Sequence, residues 1–162
     1  MQNAVILSLA SASLVAMTEK LELDRFLTYR LHRVARLSDR ETGTAYLVEC
    51  GLNLGEARCL AAIGSFAPLS LNDLARAANQ DKGHASRSAQ ALVERGLVSK
   101  EASATDARGV VLGLTRKGRG LYARTLRLIA RRNDETFAVL TVAERRMLGE
   151  MLDRVGQSLQ DR

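Results

Sequence analysis

Between Asp81 and Gly96 the chain reads DKGHASRSAQALVERG, and Lys82, His84, Ser86, Arg87, Ser88 and Gln90 fall among alanines and a glycine. The chemistry open to these side chains is recognition rather than bond making. A guanidinium fork such as Arg87's matches the acceptor pair of guanine, and the amide of Gln90 matches adenine. Ser86 and Lys82 suit phosphate oxygens. With helical spacing, Ala85, Ala89, Leu92 and Val93 share the inward side and the polar residues are left outside. Small residues let a helix backbone come close to base edges in a major groove, where bulky apolar side chains would hold it off. A merely solvated helix face is the competing reading, and from this segment alone it has similar weight.

The flanking elements favour recognition. Asp81 is placed to cap the segment, and Gly96 to end it in a left-handed conformation. Upstream, Ser70 opens SLNDLARAAN with a capping signature and with Leu71, Leu74 and Ala78 at helical spacing. Two short Ala-rich helices with few residues between them are the pattern of a helix-turn-helix. Downstream, Leu97–Ala102 and Gly109–Leu114 read as strands joined by the turn-forming SATDARG. This hairpin puts Arg108 near its tip, where a narrow minor groove attracts an inserted arginine. Asp106 is placed to hold Arg108 or a turn amide. A plain turn with a solvated arginine is the alternative, but the ordered combination of two helices and a wing is more specific than either part.

The flanks are helical. Leu23, Leu27, Leu31 and Val34 form one apolar stripe of a helix expected over Glu19–Arg40, with the pattern weakened at Gly43 and Thr44 and interrupted at Gly51–Asn53. A second helix is expected over Gly55–Ser65, followed by an extended link through Pro68. Thr115 begins a long helix, and Thr141 with Glu144 forms a capping box for a last one carrying Leu148, Met151, Leu152, Val155 and Leu159. The fold expected is mostly α with a small β-hairpin wing, a winged helix-turn-helix.

The chain has 162 residues, 46% of them apolar and 26% charged, with a net charge of +6. That is the composition of a globular domain with an anionic partner, nucleic acid or membrane surface. Cys50 and Cys59 are too few for a disulfide framework or a thiolate zinc site, and with only two histidines beside them no metal is expected. There is no phosphate-cradling glycine loop, nucleophile elbow or acid–base pair, so neither an enzyme nor a cofactor is expected. Gly118 and Gly120 in RKGRG read as a helix start. The N-terminal MQNAVILSLASASLVAM lacks basic residues before its apolar run and is too short to span a bilayer. It is expected to be an extension packed on the body or on a partner subunit, with a secretory signal as the alternative.

From about Leu21 onward the layout resembles the MarR family of winged-helix transcription regulators. The stretch SLNDLARAANQDKGHASRSAQALVERGLVSKEASATDARGVVLGLTRKGR carries the likeness: LA, DK, SR, L.ERGLV, D.RG and L.LT..G stand in the family's order without gaps. His84 and Ala91 depart from residues common in the family, so base preference does not transfer.

The resemblance implies a cytoplasmic homodimer on double-stranded DNA, its two reading helices about one turn apart on a palindromic operator. Dimerisation through the N- and C-terminal helices divides the chain into an extension at 1–18, a dimerisation helix region at 19–50, a winged lobe at 51–116 and C-terminal dimerisation helices at 117–162. The DNA contacts expected from the residues themselves are Lys82, His84, Ser86, Arg87, Gln90, Asp106 and Arg108. The resemblance also implies a small anionic aromatic effector, with Arg25, Tyr29, His32, Arg33 and Arg58 as candidate pocket residues and Glu56 beside them. LDRFLTYRLHR is similar to the branch that controls aromatic-acid and nicotinate breakdown. A thiol-based redox regulator using Cys50 or Cys59, and a winged helix that binds protein, are the alternatives.

Overall fold

The computed structural model describes residues 21–102 and 110–161, so the N-terminal extension and the expected contacts at Asp106 and Arg108 lie outside the described residues. The chain divides into two units, residues 1–37 and residues 38–162.

In the first unit, Leu23–Arg25 form a single 3-10 turn, and Phe26 is extended at φ −68° and ψ 130°. Helix α1, Leu27–Cys50, follows, its residues from Ser38 onward belonging to the second unit. The helix expected to begin at Glu19 therefore begins at Leu27. The apolar spacing runs on through the 3-10 turn, but the carbonyl of Asp24 accepts from the Arg30 side chain at 2.7 Å, and Phe26 breaks the helical path. The far end also differs from expectation, because α1 continues through Gly43 and Thr44. A Cβ at Gly43 would meet only Leu54, at an ordinary 3.8 Å, and the buried Tyr46 and Cys50 anchor the last turns.

The second unit holds the core. Helix α2, Leu54–Phe66, starts with a reciprocal capping box between Asn53 and Glu56. Helices α3, Leu71–Ala77, and α4, Lys82–Glu94, are capped by Ser70 and Asp81 as expected. The turn between them passes through Asn79 at φ 51°, a left-handed conformation that Asn tolerates. Strands β1, Val98–Ala102, and β2, Val110–Leu114, pair antiparallel with Val98 opposite Leu114 and Ala102 opposite Val110. Leu69, before α3, bridges Leu112 and extends the hairpin toward the helices. Gly96, at φ 66°, ends α4, and the Leu97 N–H returns to the Leu92 carbonyl at 2.9 Å.

Helix α5, Arg116–Thr136, is capped by Thr115, whose hydroxyl also donates to the Gly96 carbonyl at 2.8 Å. Helix α6, Val142–Gln160, begins with the expected Thr141–Glu144 box. Leu52, Leu60, Ile63, Leu74, Leu92 and Leu128 are fully buried between these elements. Each contributes roughly 1.5–3 kcal/mol by leaving water. That core fixes α4 against α2 and α3. Helix α6, by contrast, buries no residue within the chain. Among the described residues no helix is long and apolar enough to cross a membrane.

Candidate nucleic-acid interface

Helix α4 separates its faces as the spacing requires. Ala85, Ala89 and Leu92 are buried, while Lys82, His84, Ser86, Arg87 and Gln90 are exposed. Alanine on the inner face allows close packing on α2. Ser88 turns inward with it, half-buried, so it is not part of the outer face. A Cβ on Gly55 would lie 2.8 Å from the Ser88 hydroxyl, which shows how near α2 comes.

The N-terminus of α4 is held by Asp81. One carboxylate oxygen accepts from the His84 backbone N–H at 2.9 Å, and the other meets the His84 ring at Nδ1. The backbone bond first, and then the ring, hold the Asp81 carboxyl below the usual range. His84 is thus tied into the cap while its side chain remains exposed. Among the described residues Arg87 has no carboxylate within 4.0 Å.

Gln90 is positioned rather than free. Its amide N–H donates to Glu94 at 2.9 Å, and its carbonyl accepts from the Lys100 ammonium at 2.7 Å. Lys100 lies on β1, so this network couples the wing to the outer face of α4. Sequence reasoning missed both neighbours. The Gln90–Glu94 spacing of four residues is a readable helical pair. No periodicity links Gln90 to a position on the following strand.

Behind the outer face lies a cavity of about 520 Å³, lined among others by Glu56, Arg58, Gln80, His84 and Arg87. Glu56 is committed there to structure: it accepts from the Asn53 backbone and from Arg95, both at 3.1 Å. Arg58 pairs with Asp39 at 2.5 Å. Arg25, Tyr29, His32 and Arg33 belong to the first unit, where all four are exposed and Arg25 pairs with Glu22 at 2.6 Å. Within the second unit Arg58 stands without these four.

Both cysteines are buried. The Cys59 thiol lies 4.0 Å from the Gln80 side-chain oxygen and from the Ala85 carbonyl, and burial pushes it up to about 11. A thiol in that state has little thiolate at neutral pH and does not favour the redox reading. Among the described residues no group of three or more His, Cys, Asp or Glu side chains is placed to hold a metal ion.

Comparison with known proteins places this geometry. A MarR family model matches residues 51–109, which take in α2, α3, α4 and β1. The HTH-type transcriptional repressor Rv2887 of Mycobacterium tuberculosis is 30% identical over 133 residues, covering 82% of this chain and 95% of the repressor. The crystal structure of the M. tuberculosis MarR family protein Rv2887 in complex with salicylic acid superposes with a TM-score of 0.68, covering 83% of this chain and 99% of that one. A MarR/EmrR family transcriptional regulator from Acinetobacter sp. ADP1, at 21% identity, shares the fold with a TM-score of 0.79 over 88% of this chain and all of that one. These relatives are regulators and not enzymes. The hairpin-flanked pair α3–α4, the exposed basic face of α4 and the near full-length match to a repressor together make this chain a member of the MarR family of winged-helix transcriptional regulators.

Proposed function

We propose that the chain is a homodimeric repressor that reads a palindromic operator through α4 and is released by a small anionic aromatic ligand. The observation that carries this reading is the outer face of α4: Lys82, His84, Ser86, Arg87 and Gln90 are all exposed, with only alanine and leucine buried beneath them. Arg87 is assigned to a guanine, Gln90 to an adenine, and Lys82 and Ser86 to phosphate. From the sequence pattern Arg108 is assigned to the minor groove, with Asp106 to hold it or a turn amide. Such a regulator works on chromosomal DNA, in the cytoplasm.

In this reading residues 19–50 and 117–162 carry the dimer, residues 51–116 carry DNA recognition, and residues 1–18 extend the first part. The 30%-identical repressor was crystallised with salicylic acid, and this supports an aromatic carboxylate as effector. Arg25, Tyr29, His32, Arg33 and Arg58 are its proposed contacts, the arginines taking the carboxylate and the rings a flat face. The effector needs to favour the released state by only about 1–3 kcal/mol.

The test is a gel shift with the DNA upstream of the chain's own gene against random duplex of equal length. A clear preference, weakened by about 10- to 100-fold in Arg87→Ala and reversed by salicylate, is the expected result. Equal affinity for both duplexes would remove the reading.

A further inference from the structure

A second basic cavity lies away from the outer face of α4. It has a volume of about 420 Å³ and is bounded by the end of α1 at Cys50, the end of α4 at Arg95, the start of the wing at Leu97, and α5. From α5 it takes Lys117, Gly120, Leu121, Arg124 and Arg127, positions that recur on one helix face. The volume lies within the range of small-molecule sites.

The charge around this cavity is unbalanced. Further along α5, Arg131 pairs with Glu49 at 2.5 Å, and Arg132 pairs with Glu41 at 2.6 Å. Lys117, Arg124 and Arg127 have no carboxylate within 4.0 Å among the described residues. The Lys117 ammonium instead donates to the Arg95 carbonyl at 2.9 Å, which holds it at the rim. Arg95 shares one nitrogen with Glu56, which lies outside the cavity lining. No acidic residue lines the cavity, and its apolar lining comes from Leu97, Leu121 and Cys50. Gly120 adds no side chain, so the space between Lys117 and Arg124 stays open.

Four cations around one concave surface concentrate positive potential and repel one another until an anion enters. Two guanidiniums one turn apart, with no carboxylate partner among the described residues, offer donor forks suited to carboxylate or phosphate oxygens. We propose that this cavity is a binding site for a compact oxyanion with two or three negative charges, a di- or tricarboxylate or a phosphate ester, held by Arg124 and Arg127 with Lys117 and Arg95 at its edge. The site belongs to the free protein and does not depend on α4 reading DNA.

Calorimetric titration of the full chain with citrate and with inorganic phosphate, at low salt and without DNA, tests this. Saturable binding of one ion per chain is expected, weakening as salt rises. Saturation by citrate alone assigns carboxylates, by phosphate alone phosphates, and by both the shared oxyanion chemistry. The double variant R124Q/R127Q removes two exposed charges that pair with no carboxylate among the described residues, and it should bind about tenfold or more weaker at an unchanged melting temperature. R146Q/R154Q on α6 changes net charge equally and should bind within about twofold of wild type. K117Q is the second variant, expected to weaken binding by a smaller factor. Absence of saturable heat with either ion, or equal weakening in the two double variants, would overturn the site.

Discussion

Gly118 and Leu97 leave no room between them: a Cβ on Gly118 would lie 1.9 Å from the Leu97 carbonyl oxygen. That carbonyl also accepts from the Thr115 backbone at 3.1 Å, so the start of α5 is pressed onto the beginning of the wing. Gly120, two residues on, has nothing within 4 Å of its would-be Cβ. The two glycines of RKGRG therefore respond oppositely to alanine. Gly118→Ala should destabilise by about 1–3 kcal/mol through overpacking against backbone. Gly120→Ala should stabilise by up to about 1 kcal/mol through helix propensity. Urea unfolding followed by circular dichroism reads both, and equal signs would show that the contact between α5 and the wing is wrong.

The Asp81 cap gives the second prediction. Asp81→Ala removes the acceptor at the first turn of α4 and should lower the melting temperature by roughly 2–4 °C, whereas Asp81→Asn keeps a good cap and most of the stability. The folded carboxyl sits below its ordinary 3.8. Its contribution is therefore complete above that value and is lost as pH falls through the lower folded value. Acid titration of stability should show a step in wild type that is missing from Asp81→Ala. A step of the same size in both would assign the acid sensitivity elsewhere.

These two cases show what a sequence can tell. The Asp81, Ser70, Thr115 and Thr141 caps act over three residues, and their side-chain types announce them. The same holds for the left-handed Gly96 and for the exposed and buried sides of α4, because helical periodicity is local. The tie between Lys100 and Gln90 and the contact of Gly118 with Leu97 depend on where separate elements meet, and no spacing encodes that. Gly64 is a further instance: it is glycine because a Cβ there would lie 2.3 Å from the Tyr122 ring, 58 residues away. The start of α1 at Leu27 is hidden from the sequence for a different reason, since a 3-10 turn and an α-helix both tolerate the same short apolar spacing.

Burial of Cys59 makes alkaline stability the third prediction. The thiol ionises near 11 in the folded chain against 9.0 unperturbed. A raised folded value means stability is complete below 9.0 and is lost as pH rises toward 11. The loss amounts to about 2–3 kcal/mol at the upper end. Cys59→Ala, less stable at neutral pH through its small cavity, should lose less between pH 9 and 11 than wild type. The same protonated state predicts slow alkylation of Cys59 by iodoacetamide in the native chain at pH 7.5, read by mass spectrometry. Rapid native labelling at Cys59 would contradict its burial.

The fourth prediction concerns what covers α6. Met151, Leu152, Val155 and Leu159 are 44–62% exposed within one chain, and α6 has no buried residue. Val34 and Leu31 on α1 are about half exposed as well. A monomer would leave each of these stripes in water, and exposed apolar stripes of this kind mark association surfaces. A second copy is the proposed cover, because a two-fold interface lets one stripe serve both partners. Wild type should then sediment at twice the chain mass, and Val155→Glu should shift the equilibrium toward the single chain by burying an unpaired charge in the interface. Met147→Glu tests a neighbouring position of the same helix, 55% exposed in the chain. Duplex binding should fall with dimer population, since two half-sites bound by one dimer gain effective concentration that separate chains lack. A wild-type chain that sediments as a monomer at tens of micromolar would break the link between these apolar stripes and DNA recognition.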